Sequence, residues 1–444
     1  MSSEDHIYEG CCKIGPGGAL RGTIRVPGDK SISHRAIMLS AIAQGESVIR
    51  GFLESEDCLA TLKIFTQMGI DFSQEGDVLR IYGRGLSGLR EPDHFLDMGN
   101  SGTGARLMMG ILAGQPFATF LIGDSSLRKR PMGRVTEPLS RMGARFIGRE
   151  NGTKLPLAIQ GGHLKGISYQ SPVASAQVKS ALLLAGLYAQ GVTTLVEPGP
   201  SRDHTERMLK TFGYPIETEE RSCTVSGPCG DVQGLKLDVP GDFSSAAFFM
   251  VAASILPGSD LLIESVGINP TRTGLLDVLQ EMGADLTLEN QRMSGAEPVA
   301  DIRVRSHELH GTTIGGETVV RMIDEFPIFA VAAAKATTPS IVKEAEELRV
   351  KESDRIAVIV RVLRRMGVTI EEMPDGFAVQ GNSELTGSSC ASFGDHRIAM
   401  SLAIAGLAAR GETVIQGIAS VSTSFPHFFS LLETISPGSV IELA

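Results

Sequence analysis

Tryptophan is absent from this chain and tyrosine occurs only five times, which argues against a nucleic-acid partner held by base stacking. Positive charge is not in excess either. The formal net charge is −10, the opposite of the basic footprint that nucleic acid requires. No apolar run approaches the roughly 20 residues of a membrane span; the longer ones, such as Ile398–Ala409, read as buried core helices. Met1 to Gly18 has no apolar stretch leading to a small-residue cleavage site, so no secretory leader is expected. The cysteines at 11, 12, 58, 223, 229 and 390 form no Cys-x-x-Cys pair. They are expected to be reduced, buried or inert, in a cytoplasmic protein. His307 and His310 make no zinc-type cluster with them, and the reading expects no metal and no cofactor.

What is present is repetition. A chain of 444 residues, 42 % hydrophobic and 21 % charged, has material for two to three globular domains. Met68-Gly69, Met142-Gly143, Phe212-Gly213, Met282-Gly283 and Met366-Gly367 each close an amphipathic segment and precede a short strand-like stretch. Glycine suits the left-handed position that ends a helix, and these glycines are 74, 70, 70 and 84 residues apart. Between them lie polar turns that open Ala-, Leu- and Met-rich helices. These turns are Gly28-Asp29-Lys30-Ser31, Gly99-Asn100-Ser101-Gly102, Ala174-Ser175-Ala176-Gln177, Gly241-Asp242-Phe243-Ser244, Asp324-Glu325-Phe326-Pro327 and Gly394-Asp395-His396-Arg397. Helix, strand, helix, strand, strand thus recurs six times, with about 70 residues per copy. The sixth copy is cut short after Phe428–Ile435 and is expected to borrow strands from the N-terminal segment. Val-Pro-Gly-Asp occurs at Val26–Asp29 and again at Val239–Asp242, and Pro-Gly is a turn signal. The chain is therefore expected to cross between two three-repeat domains there. One is residues 27–241; the other combines 1–26 with 242–444. Mixed strands and helices make the class α/β (α+β).

The cations are misplaced for a plain scaffold. A helix N-terminus carries partial positive charge and disfavours Lys or Arg, yet Lys30 and Arg35 begin one helix and His396 and Arg397 another. A bound phosphate or carboxylate reverses the sign of that effect. Further cations sit in Leu127–Arg134, in Ser201-Arg202-Asp203-His204 and in Arg349–Arg355. Arg128, Lys129 and Arg134 are expected to be ordinary surface. Asp57, Asp242, Asp324 and Glu352 stand beside these cations. Asp324 reads either as a helix cap or as a general base beside a bound substrate.

Other signals are weaker. Gly99–Gly104 has the wrong glycine order for a dinucleotide loop, and Lys30-Ser31 lacks the glycines of a Walker A loop. No Ser-His-Asp triad is readable. A repeat scaffold that binds another protein would show alike residues at equivalent positions, whereas the six helix starts carry six different polar sets.

The residues Gly28–Arg35, Gly99–Thr103, Lys129–Gly133, Ser175–Lys179, Arg349–Arg355 and Asp395–Arg397 resemble, in order and along essentially the whole chain, the motifs of the 5-enolpyruvylshikimate-3-phosphate synthase family. The resemblance implies an enolpyruvyl transferase-like fold of two domains, each of three βαβαββ units with helices inside and sheets outside, an inside-out barrel. It implies a transferase of the shikimate (chorismate, aromatic amino acid) pathway. Such an enzyme joins phosphoenolpyruvate to shikimate 3-phosphate by addition and elimination, and is a glyphosate target. On the matching positions, Lys30, Ser31, Arg35, Ser175, Ala176, Gln177, Arg202, Asp324 and Lys351 would hold shikimate 3-phosphate, mainly on the 27–241 side. Lys30, Gly102, Arg130, Gln177, Arg355 and Arg397 would hold phosphoenolpyruvate. Asp324 would be the base, Glu352 the acid and Lys30 the group at the leaving phosphate. The partners implied are small molecules, with a monomeric protein, no nucleic acid and no membrane.

Two departures stand out. Many members carry Lys where this chain has Thr423, so a phosphoenolpyruvate contact is absent or supplied elsewhere. Glyphosate-insensitive members carry Ala at the position of Gly102, and the neighbouring motifs resemble that group; Gly102 is nevertheless expected to leave room for glyphosate. The alternative within the fold is UDP-N-acetylglucosamine enolpyruvyl transferase, which usually has Cys in the loop that here reads Leu127–Arg134 and Lys-Asn at Lys30-Ser31. A phosphate-binding or nucleic-acid-end-processing relative and the repeat scaffold are the more distant alternatives.

Overall fold

The computed structural model describes residues 9–443; residues 1–8, which the sequence reading places in the second domain, lie outside them. Among the described residues, twelve helices of eight or more residues alternate between two kinds. The odd-numbered ones are α1 (Lys30–Ile42), α3 (Gly102–Ala113), α5 (Ala176–Gly186), α7 (Phe243–Ile255), α9 (Phe326–Lys335) and α11 (His396–Leu407). They are apolar on every side and buried along nearly their whole length, as expected of helices surrounded by protein. The even-numbered ones are α2 (Glu56–Gln67), α4 (Gly133–Met142), α6 (His204–Phe212), α8 (Gly274–Glu281), α10 (Arg355–Arg365) and α12 (Phe428–Ile435). Here one stripe is buried. In α4 it is Val135, Thr136, Pro138, Leu139 and Met142, while Glu137 and Arg141 pair on the wet face.

Six four-stranded sheets share one topology. In the first, Gln44–Arg50 runs parallel to Lys236–Asp238 and antiparallel to Val78–Arg84, which pairs antiparallel with Asp71–Glu75. In five of the six, the strand after an inner helix lies between a parallel edge strand and the repeat's last strand. The glycines that end the even helices do so for the reason given by sequence: Gly69, Gly143, Gly213, Gly283 and Gly367 have φ of +85°, +116°, +87°, +91° and +88°. The sixth sheet takes Cys11–Ile14 from the N-terminal segment, between Thr413–Gln416 and Val440–Leu443. The last of these, a C-terminal strand, is an element that the sequence reading overlooked.

The chain divides into two compact units. One is 28–240 with 293–297; the other is 1–27, 241–292 and 298–444. Each has its own apolar core, and the two cores share no residue. Within the first unit, α3 and α5 meet through Gly110. A methyl group there would stand 2.2 Å from the Ala181 carbonyl oxygen, so the helices touch backbone to backbone. Gly110→Ala should therefore lower stability by about 1–3 kcal/mol, because overpacking must push a helix aside. Denaturant unfolding that shows no loss would refute this reading of the contact.

Candidate active site

Helix starts carry the polar groups in both units. In the unit 28–240, Asp29 caps α1 by accepting from the Ile32 N–H at 2.9 Å. Lys30 follows, and its ammonium pairs with the buried Asp57 carboxylate in the first turn of α2. Arg35, one turn on, is buried. It donates from Nε to Thr205 (2.6 Å), from Nη1 to the Ser31 carbonyl (2.9 Å) and from Nη2 to Ser180 (2.7 Å). Burial pushes its guanidinium down to about 10 against the pull of Glu206 and Asp29. Arg35 thus ties α1 to α5 and α6.

Ser101 caps α3 through the Gly104 N–H at 2.9 Å, and Ser175 caps α5 through the Val178 N–H. Gln177, next to Ala176, donates to Thr103 at 2.9 Å and accepts from Arg106, which also donates to the Pro131 carbonyl at 2.8 Å. Arg130 donates to Asn100 at 2.8 Å and is buried, whereas Arg128, Lys129 and Arg134 are exposed, as the sequence suggested. A Cβ on Gly102 would lie 3.0 Å from Arg130 Nη1 and 3.3 Å from Arg106 Nη1. That glycine therefore sits against two guanidinium groups.

Arg202 is half-buried in the turn before α6, and a group that the sequence reading missed holds this turn. Lys179 Nζ meets Glu197 and Glu206 at 2.8 Å each and donates to the Ser201 carbonyl at 3.3 Å. Glu197 accepts in turn from the Ser175 N–H at 3.0 Å and from the Ser201 hydroxyl. Burial alone would lower the Lys179 ammonium, but Glu206 and Glu197 outweigh it and raise it.

In the other unit the N-cap of α9 is Glu325, not Asp324, which removes the capping role considered for Asp324. Its carboxylate faces Arg355 Nη1 at 3.4 Å and Arg397 Nη2 at 3.8 Å. Arg355, the first residue of α10, also meets Glu352 (2.7 Å) and Asp395 (2.8 Å). Burial opposes its charge, yet Asp395, Glu352 and Asp324 hold it raised. Asp395 caps α11 through the Arg397 N–H at 3.0 Å and accepts from Ser353 at 3.1 Å. Lys351 is lowered by burial despite Asp324 and Glu347 nearby. Arg272, also missed from sequence, joins Asp242 (3.1 Å) to Ser244, whose hydroxyl donates to Glu325. Thr423 donates to the Ser420 carbonyl of its own turn at 2.7 Å.

The side chains of Lys30, Arg355 and Arg397 are 19 %, 1 % and 12 % exposed, and Arg130 is 7 % exposed. Four cations at or near helix starts are thus withdrawn from bulk water, together with Asp324, Glu352 and Lys351. Within each unit, on a six-repeat fold, cations so placed suit the anionic small molecules of a transferase. The comparisons give the family. The family model described as EPSP synthase (3-phosphoshikimate 1-carboxyvinyltransferase) matches residues 14–432. A 3-phosphoshikimate 1-carboxyvinyltransferase of Geobacter metallireducens is 56 % identical over 423 residues, 95 % of this chain and 98 % of that protein. The structure of EPSP synthase from Acinetobacter baumannii superposes with a TM-score of 0.87 at 47 % identity, covering 98 % of this chain and all of the other. The enolpyruvyl transferase NikO of Streptomyces tendae, 16 % identical, shares the fold with a TM-score of 0.78 over 96 % of this chain and 98 % of its own. This chain belongs to the EPSP synthase (3-phosphoshikimate 1-carboxyvinyltransferase) family.

Lys179→Met should lower stability by about 3–5 kcal/mol, because it leaves two buried carboxylates without their cation. The pH dependence has a definite sign. Burial raises Glu206 and Lys179 pulls it back down. A carboxyl raised in the folded state stabilises fully at acid pH and loses that contribution as pH rises through its folded value. The variant's melting temperature should therefore fall from about pH 5 to about pH 8 more steeply than the parent's. Parallel curves would show that Lys179 does not neutralise this pair.

Proposed function

We propose that this chain transfers the carboxyvinyl group of phosphoenolpyruvate to the 5-hydroxyl of shikimate 3-phosphate and releases phosphate, in aromatic amino acid (chorismate) synthesis. The observation that carries the reading is the set of cations at helix starts withdrawn from water, which match substrates bearing both phosphate and carboxylate. The two compact units serve as the two domains. Lys30, Ser31, Ser175, Ala176, Gln177 and Arg202 hold shikimate 3-phosphate in the unit 28–240, with Asp324 and Lys351 from the other unit. Lys30, Gly102, Arg130, Gln177, Arg355 and Arg397 serve phosphoenolpyruvate. Among these, the more exposed Arg397 touches the ligand, while Arg355 fixes Asp324 and Glu352. Arg35 acts by holding Ser31 and α5. No helix among the described residues is long and apolar enough to cross a membrane, which is consistent with a cytoplasmic location.

In the addition step the 5-hydroxyl oxygen bonds to C2 of phosphoenolpyruvate. Its proton passes to Asp324, and the C3 methylene takes a proton from Glu352. In the elimination step the C2–O bond to phosphate breaks and the methyl group returns a proton, leaving the enol ether. Lys30 stabilises the departing phosphate. One preorganised cation or donor of this kind contributes about 3 kcal/mol to transition-state stabilisation.

Phosphate release should require both shikimate 3-phosphate and phosphoenolpyruvate. Turnover with UDP-N-acetylglucosamine as acceptor instead would overturn the assignment. Asp324→Asn should bind shikimate 3-phosphate nearly as the parent does in calorimetry while kcat falls by about two to four orders of magnitude; parental kcat removes Asp324 from the base role. Gly102→Ala should displace the Arg130 guanidinium. It should raise the glyphosate inhibition constant and the KM for phosphoenolpyruvate about tenfold or more, with the KM for shikimate 3-phosphate little changed. A parent enzyme insensitive into the millimolar range would show that glyphosate does not use this space.

A further inference from the structure

The three inner helices of the unit 28–240 are joined near their N-termini by side-chain hydrogen bonds. Arg35 to Ser180 links α1 to α5, and Gln177 to Thr103 links α5 to α3. The remaining link, α1 to α3, is His34. Its Nε2 faces Ser101 Oγ at 3.3 Å and its Nδ1 faces Thr61 Oγ1 at 2.9 Å; all three residues are fully buried.

The neighbours fix where the proton lies. Ser101 Oγ accepts from the Gly104 N–H. Its own hydrogen is therefore available for His34, with Nε2 accepting, once Thr61, whose hydrogen goes to Asp57, takes the hydrogen of Nδ1. Nδ1 then carries the hydrogen and donates to Thr61. Thr61 passes its own hydrogen to the Asp57 carbonyl at 3.3 Å, on the residue whose carboxylate pairs with Lys30. The chain runs Ser101 to His34 to Thr61 to Asp57, every donor meeting one acceptor. Gly104 packs against this chain: a Cβ there would stand 2.8 Å from Ser101 Oγ and 3.1 Å from Thr61 Oγ1.

The geometry points to His34, as the neutral Nδ1–H tautomer, as a positioning residue that sets the Ser101-Gly102-Thr103 helix start for phosphoenolpyruvate and couples it to the Lys30–Asp57 pair. Reversing the tautomer would present a second donor to Ser101 and leave the serine hydrogen without its acceptor. A protonated ring would do the same. Burial first, and then the charges of Lys30 and Arg35 on its own helix, hold the imidazole well below its usual range. Asp57, from α2, faces Lys30, and its backbone carbonyl ends the chain. The phosphoenolpyruvate part of this inference rests on the function proposed above; the tautomer does not.

Two measurements test it. Nitrogen-15 NMR of histidine-labelled full-length protein, assigned by the signal lost in His34→Asn, should show hydrogen on Nδ1 only, unchanged from about pH 6 to about pH 8. Hydrogen on Nε2, or titration in that range, overturns the proposal even if the enzyme turns over as expected. In kinetics, His34→Ala and His34→Asn remove the acceptor offered to Ser101. Each should raise the KM for phosphoenolpyruvate about tenfold, with the KM for shikimate 3-phosphate within about twofold. His34→Gln, whose amide oxygen reaches the Nε2 position, should recover most of that loss. Equal changes in both KM values, or a Gln variant no better than Ala, overturns the positioning role. A parent protein with no turnover would sink the proposed function and leave the NMR result to decide His34.

Discussion

Cations taken out of water at the positive ends of helices are the constraint on which the rest of this structure depends. A Lys or Arg near a helix N-terminus opposes the dipole by a few tenths of a kcal/mol, and an uncompensated buried charge costs several kcal/mol. The protein meets both with carboxylates of its own. Asp57 faces Lys30, and Asp324, Glu352 and Asp395 surround Arg355. An anionic substrate entering such a place joins an existing balance of charge. On the function proposed, its phosphate or carboxylate would meet N–H groups and cations already oriented, so little reorganisation would be needed when charge moves during reaction.

The repeat architecture makes this possible because every inner helix begins at the same stage of its unit. Burying an apolar helix on all sides leaves its N-terminus as the natural place for polar groups, since the first N–H groups have no partner within the helix. Three such ends in the unit 28–240 are tied to one another by Arg35, His34 and Gln177. Behind them, Lys179 locks Ser175 and the Ser201 turn to one ammonium group. In the other unit Arg272 holds Asp242 and Ser244 at the start of α7, Ser244 reaches Glu325 at the start of α9, and Arg355 joins the starts of α9, α10 and α11. Buried hydrogen-bond networks of this kind are strong only when every member is satisfied.

Local punctuation was the part legible in the sequence. Gly69, Gly143, Gly213, Gly283 and Gly367 could be read one by one because a left-handed helix end requires glycine and little else. The helix starts were legible for a related reason, as Asp and Ser in a cap position advertise themselves. Lys30, Arg130, Arg355 and Arg397 stood out because charge of that sign is unfavourable there. Lys179, Glu197 and Glu206 did not stand out: each lies inside or beside a segment where a charged residue on a wet face is ordinary, and only tertiary packing buries them together. Spacing held a faint signal for two missed groups. Lys179 is four residues after Ser175 and Arg106 four after Gly102, one helical turn from a position already singled out. The C-terminal strand Val440–Leu443 was hidden by its brevity and by a partner, Cys11–Ile14, more than 400 residues away in sequence.

By sequence the six helix starts look different from one another, which marks a site and not a repeated scaffold. In five of the six, however, Asp29, Ser101, Ser175, Asp242 and Asp395 perform one shared task, accepting the first free N–H groups. Repetition is therefore stronger at the cap than the letters suggest, because Asp and Ser are interchangeable there. The asymmetry begins one or two residues later, with Lys30, Gly102, Gln177, Ser244, Pro327 and Arg397. The caps belong to the fold that all six copies must complete. The residues just inside them are relieved of that duty and are free to diverge.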